Sequence, residues 1–231
     1  MNQKWKRGIV WPLVLCLMVG MLSVTALATE NPFTDVKDTD WFFNPVMWAK
    51  DNGITYGLTA TTFGPESKCT RAQVVTFLWA ANGRPDPQTT VNPFTDVADD
   101  AWYVKPVLWA VEQGITGGTS ATTFSPEKPC NRAEIVTFLY AANGKPAVSG
   151  ESTFGDVANS AWYLKPVLWA AQNDITGGIG DGKFGPENPC TRNQVVTFLY
   201  KVYGNTEIPE VKPTPTPTPE VKPGQNQTPF G

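Results

Sequence analysis

Apolar and polar residues follow one another in the same order three times along this chain. Phe33, Trp41 and Trp48 are matched by Phe94, Trp102 and Trp109, and again by Phe154, Trp162 and Trp169, at a step of 61 and then 60 residues. Arg71, Arg132 and Arg192 keep the same step. A self-similar period of this kind marks repeated supersecondary units. Each unit runs through F-[TG]-D-V, a W-[FY] pair, P-V-[ML]-W-A, an I-T turn with glycine, F-[GS]-P-E, a C-[TN]-R opening and V-T-F-L-[WY]. Segments near "NGRPDPQ" and "NGKPAVSG" have the proline and glycine of connections. The repeats are therefore placed at 31–86, 92–147 and 152–206.

Within each unit the pattern predicts two helices. The first is expected over 45–52, 106–113 and 166–173, with a proline in its first turn, where the missing N–H has no partner to lose. The preceding "WFF", "WYV" and "WYL" form a separate turn. Gly53, Gly114 and Asp174 fall at the left-handed position past the helix end. The second helix follows Thr70, Asn131 or Thr191 as N-cap, and Gln73, Glu134 or Gln194 three residues later completes a capping box. Val74, Phe77, Leu78 and Ala81 then share one face, Val75 and Trp79 widen it, and Gly83, Gly144 and Gly204 close the three helices.

Two short helices cannot bury so broad an apolar face. The expectation is a mainly α fold in which three units pack their second helices together around a pseudo-threefold axis, as a central three-helix bundle.

The ends differ from this pattern. Residues 1–28 read as a secretory signal, with Lys4, Lys6 and Arg7, an apolar run and the Ala26-Leu27-Ala28 cleavage pattern. No other segment approaches the roughly 20 apolar residues of a membrane span. Without the three signal cations, 15 basic residues of the 18 face 21 acidic ones, a net charge of -6. So acidic an exported protein is a poor nucleic-acid binder. Residues 207–231, with "PTPTPTPEVKP", read as an extended solvated tail.

Cys69, Cys130 and Cys190 precede the three N-caps, and Val74, Ile135 and Val195 stand at the fourth helical position, the spacing of a hydrophobic staple. A metal site or an intermolecular disulfide competes with that reading, but three equivalent thiols cannot all pair. The chain has no histidine or C-x-x-C to complete a zinc tetrahedron, and neither metal nor cofactor is expected.

Arg71, Arg132 and Arg192 take the first helical position, where a cation opposes the macrodipole at a cost of about 0.3 to 1 kcal/mol. Beside free helix N–H groups, a guanidinium there makes a bidentate anion site for a carboxylate or phosphate. The alternative is pairing with Asp35, Asp96 or Asp156, which recur in step. Trp48, Trp109 and Trp169 read as core. Trp41, Trp102 and Trp162 precede a helix in a turn, where either core packing or an exposed platform for a sugar ring fits.

These landmarks, F-T-D-V, W-[FY], the G-I-T turn, F-x-P-E and T-R-A-Q/E before an apolar helix, resemble the S-layer homology repeat, in three copies from 31 to about 205. The resemblance implies a three-pronged helical fold. It also implies non-covalent anchoring of an exported protein at the cell wall or cell surface, through secondary wall polysaccharide or another peptidoglycan-linked polymer carrying pyruvylated, hence carboxylate-bearing, sugar. It assigns the main binding role to Arg71, Arg132 and Arg192. Trp41, Trp102 and Trp162 join them, with Gly57, Gly118 and Gly178 letting backbone approach a sugar. The chain departs from the family at Gln73 and Gln194 in place of glutamate, at Asn131 in place of threonine and at Asn193 in place of alanine. The third groove is the least regular. A basic residue expected late in the second helix is Ala80 and Ala141 here, with Lys201 in the last copy alone.

A monomeric, non-catalytic wall-binding module is thus the leading expectation. A wall-associated glycan hydrolase and a self-assembling surface-layer component are the alternatives. Carboxylates that come in threes suit three grooves better than one catalytic centre.

Overall fold

A computed structural model describes residues 30–204. The expected signal at 1–28 and the tail at 207–231 lie outside them. Among the described residues there are six helices: α1 Phe43–Asp51, α2 Arg71–Ala81, α3 Val104–Glu112, α4 Arg132–Ala142, α5 Leu164–Gln172 and α6 Arg192–Tyr203. No strand forms among these residues, only isolated antiparallel bridges.

α1, α3 and α5 start two residues before the expected position. Pro45, Pro106 and Pro166 therefore stand third in their helices, and the last residue of each "WFF", "WYV" and "WYL" stretch is the first helical one. Proline is tolerated there for the same reason as at the first position, because the opening N–H groups of a helix have no intrahelical partner. Gly53, Gly114 and Asp174 do take left-handed φ values of 65°, 63° and 55°.

α2, α4 and α6 begin as the capping boxes predict. Asn131 Oδ1 accepts from Glu134 N at 2.8 Å, and Glu134 Oε2 accepts from Asn131 N at 3.0 Å. Thr70 and Gln73 repeat this exchange at 3.3 and 3.1 Å. The third box is looser: Thr191 N reaches Gln194 Oε1 at 3.4 Å, and the Thr191 hydroxyl also donates to Asn193 Oδ1. Each cap contributes about 1 kcal/mol.

The helices pack across repeats. α3 lies against α2, α5 against α4, and α1 against α6, while α2, α4 and α6 each touch the other two. At the N-terminal ends of these three, Cys130 N donates to Cys69 O, Cys190 N to Cys130 O and Cys69 N to Cys190 O, all at 2.9 Å. At the opposite ends, the Tyr203 hydroxyl accepts from Asn82 Nδ2 and Asn143 Nδ2 at 3.4 and 3.3 Å. The interior between them is apolar, with Val75, Leu78, Ile135, Val136, Leu139, Val195 and Val196 at 2 % exposure or less. Each such side chain contributes about 1.5 to 3 kcal/mol relative to an exposed one.

Cys69, Cys130 and Cys190 are free and fully buried in this core, together with their expected staple partners Val74, Ile135 and Val195. Burial pushes the thiols of Cys69 and Cys190 up to about 12 and that of Cys130 well above its ordinary value. Among the described residues, no cluster of three acidic, histidine or cysteine side chains is arranged to hold a metal ion.

Candidate functional site

The three arginines link each repeat to the next. Arg71 Nε donates to Phe124 O at 3.0 Å, Arg132 Nε to Phe184 O at 2.8 Å and Arg192 Nε to Phe63 O at 2.9 Å. Their Nη2 atoms reach the threonine hydroxyls of the I-T turns, Thr116 at 3.5 Å, Thr176 at 3.1 Å and Thr55 at 3.2 Å. Each guanidinium lies between two phenylalanine rings, as with Arg132, about 5 Å from the centroids of Phe184 and Phe198. The third arginine reaches back to the first repeat, so the series of contacts closes on itself.

Only 2 to 3 % of each arginine is exposed. Folding therefore does call for arginine at this position. The macrodipole cost is offset by hydrogen bonds and ring contacts made to the next repeat. The helix N–H groups are not free either. Arg71 N and Ala72 N donate to Lys128 O and Pro126 O, Arg132 N and Ala133 N to Asn188 O and Pro186 O, and Arg192 N and Asn193 N to Ser67 O and Pro65 O, at 2.9 to 3.1 Å. None of these helix N–H donors remains for an anion.

Asp35, Asp96 and Asp156 do not pair with the arginines. Each carboxylate accepts two backbone N–H groups of the F-x-P-E loop: Asp156 from Phe184 and Gly185 at 2.8 Å, Asp35 from Phe63 and Gly64 at 2.8 Å, and Asp96 from Phe124 and Ser125 at 2.8 and 2.7 Å. The same phenylalanine thus gives its N–H to an aspartate of its own repeat and its carbonyl to an arginine of the preceding one. Burial lowers the affinity of Arg132 and Arg192 for their protons, while the carboxylates of Asp156 and Asp35 act the other way.

Trp41, Trp102 and Trp162 are 63 to 64 % exposed. Each indole packs edge-on against the following aromatic, Phe42, Tyr103 or Tyr163, with ring centroids 5.1 to 5.3 Å apart. That contact holds a platform open to solvent. By contrast, Trp109 and Trp169 are buried and Trp48 is half-buried.

One arginine, one tryptophan and one glycine of the expected sets line a groove of about 360 Å³. Trp41 of the first repeat, Arg132 of the second and Gly178 of the third all line it, with Thr176, Gln194 and Phe198. Gly178 has φ 87°, and a Cβ there would lie 2.3 Å from Lys183 O and 2.7 Å from Phe154 Cε1, so this loop can pass only without a side chain. Gly57 and Gly118 are equally constrained. A second cavity, of about 420 Å³, lies beside Trp162 and is lined also by Tyr140, Lys145 and Lys165. Sequence reasoning missed Gln194 as a lining residue and missed both lysines. Comparing the three repeats position by position is the signal that finds them, because Lys165 aligns with Asn44 and Lys105, and Lys145 with Arg84.

An opening lined by indole, guanidinium, amide and hydroxyl groups suits a polar ring bearing an anionic group. No helix among the described residues is long and apolar enough to cross a membrane.

The chain is 30% identical over 191 residues to the surface-layer 125 kDa protein of Lysinibacillus sphaericus, a match covering 81% of this chain and 16% of that protein. It is 28% identical over 180 residues to a cellulosome-anchoring protein of Acetivibrio thermocellus, covering 74% and 38%, and 27% identical over 203 residues to an endoglucanase of a Bacillus species, covering 82% and 21%. The chain thus spans well under half the length of each. The model of the S-layer homology domain matches residues 32–75, 93–136 and 153–196, more than half of the sequence. The chain belongs to the S-layer homology domain family, with three copies of the domain.

Proposed function

We propose that this chain is a non-covalent cell-wall anchoring module that holds an acidic polysaccharide in the grooves between its repeats. The observation that carries the reading is the groove in which Trp41, Arg132 and Gly178, one residue from each repeat, line a single opening. The indole stacks on a sugar face, and the outer edge of the guanidinium meets a carboxylate, such as that of a pyruvyl ketal on secondary wall polymer. Trp102 with Arg192 and Gly57, and Trp162 with Arg71 and Gly118, are the corresponding sets. Family membership and the similarity to surface-layer and anchoring proteins support the cell wall or cell surface as the place of action.

The frame is a central three-helix bundle of α2, α4 and α6 with pseudo-threefold symmetry, in a monomer. The mutual contacts of these helices, the ring of cysteine backbone hydrogen bonds at one end and the Tyr203 hydroxyl at the other support it. The module itself is non-catalytic, since its recurrent aspartates are occupied in holding backbone N–H groups.

Co-sedimentation with native walls and with walls stripped of secondary polymer by hydrofluoric acid tests the reading. Pelleting with native walls and loss from stripped ones is the expected result. Equal pelleting with both removes the polymer, and release of soluble sugar from native walls makes the chain a hydrolase.

A further inference from the structure

The three arginines make the same contacts to the next repeat, but the polar and charged side chains around them differ. In the groove of Trp41, the residue facing the arginine is Gln194, whose oxygen is held by the cap N–H of Thr191, leaving its amide donors for the opening shared with Arg132. Gln73 has the corresponding place near Arg192, its oxygen likewise held by Thr70 N. Near Arg71 that place belongs to Glu134. Its Oε1 accepts from Arg71 Nη1 at 3.1 Å and from Lys128 Nζ at 3.0 Å. A ligand carboxylate arriving there meets a carboxylate already seated on the guanidinium, and like charges at such range repel.

The outer ends of the grooves differ in the opposite sense. Beside Trp102, Lys105 pairs with Asp86 at 2.9 Å and Arg84 donates to the carbonyl of Gly53. Beside Trp41, the residue aligned with Lys105 and Lys165 is the uncharged Asn44. Beside Trp162, Lys145 and Lys165 line one cavity of about 420 Å³ with the indole, and among the described residues neither pairs with a carboxylate. A Cβ built on Gly114 would lie 4.0 Å from Lys145 Nζ, which places that ammonium at the cavity wall.

We infer that the groove of Trp162 departs from its two counterparts: Lys145 and Lys165 hold the anionic group of a wall sugar there in place of Arg71, which Glu134 engages and which serves in folding alone. The inference rests on the wall-polymer reading and deepens it. Ammonium groups are mobile point charges, so this site accepts a ketal carboxylate or a phosphodiester with less demand on geometry than a guanidinium fork makes.

The test is an NMR titration of the full 15N-labelled chain with polysaccharide released from walls by muramidase, following the indole N–H signals of Trp41, Trp102 and Trp162. In Lys145→Gln/Lys165→Gln, the apparent affinity read at Trp162 should weaken at least tenfold, with that at Trp41 unchanged within twofold. Both lysines are exposed, so this variant keeps the fold. An unchanged response at Trp162 overturns the inference and leaves the wall-polymer reading standing, whereas no response at any indole overturns both. Mild acid, which removes ketals and spares phosphodiesters, then identifies the anion: loss of the Trp162 response assigns a carboxylate, and persistence a phosphate, on the same two lysines.

Discussion

Arg71 Nη1 lies 3.1 Å from Glu134 Oε1, joining the start of α2 to the first turn of α4. Burial pushes the Glu134 carboxyl up, but the N–H of Asn131 and the cations of Lys128 and Arg71 more than reverse this, so its proton affinity sits below the usual range. A carboxyl depressed in the folded state contributes stability that is complete above its unfolded value, near 4.3, and is lost as pH falls through the folded one. Glu134→Gln should therefore leave stability at pH 7 within about 1 kcal/mol, since glutamine completes the same capping box in the other two repeats. It should also flatten the loss of stability below about pH 4. Urea denaturation at pH 7 and pH 3 measures both.

Arg132 joins α4 to the loop of Phe184 through a buried carbonyl and a buried threonine hydroxyl. Arg132→Ala orphans both and opens space between two rings, which should destabilise the protein by about 2 to 4 kcal/mol. Arg132→Lys should recover little, because an ammonium cannot reproduce the planar fork. Equilibrium unfolding that leaves either variant within about 0.5 kcal/mol of the wild type, the size of an ordinary surface change, would show the buried contacts to be unimportant.

The three thiols give an alkaline signature. Their folded values, about 12 for Cys69 and Cys190, lie above the unfolded value near 8.5, so the folded chain keeps protons that the unfolded chain releases. Stability is then full below about pH 8.5 and falls as pH rises toward 12, by up to about 1.4 kcal/mol per pH unit for each thiol. Cys69→Ala/Cys130→Ala/Cys190→Ala should have a shallower slope between pH 9 and 11 than the wild type. The folded wild type should also resist iodoacetamide at pH 8.5. Equal slopes in the two proteins contradict the account.

The starts of α2, α4 and α6, their capping boxes and the left-handed Gly53, Gly114 and Asp174 were legible because each depends on residues within four positions of one another. The exposure of Trp41 against the burial of Trp109 was half legible, from a turn beside a helix. What the arginines do was not. Their partners Phe124, Phe184 and Phe63 lie 52 to 129 residues away in sequence, and the first turns of α2, α4 and α6 find their carbonyls in another repeat. A local pattern shows that helix N–H groups lack partners within the helix, not who supplies them. The cysteine ring was hidden for the same reason, since it uses backbone atoms that carry no sequence signal.

Exposed and buried tryptophans should separate stability from binding. Trp169→Ala removes a buried indole and should cost about 3 to 5 kcal/mol. Trp162→Ala, at a position 63 % exposed, should cost within about 0.5 kcal/mol. Thermal unfolding of the two variants side by side checks the contrast, and a large loss in Trp162→Ala would make that residue part of the core.

The most direct measurement is co-sedimentation of Trp41→Ala/Trp102→Ala/Trp162→Ala with native walls, beside the wild type and after circular dichroism has shown both to be folded. Binding in the grooves predicts that the wild type pellets and the variant stays largely in solution. A folded variant that pellets as the wild type does would place wall attachment elsewhere on the molecule.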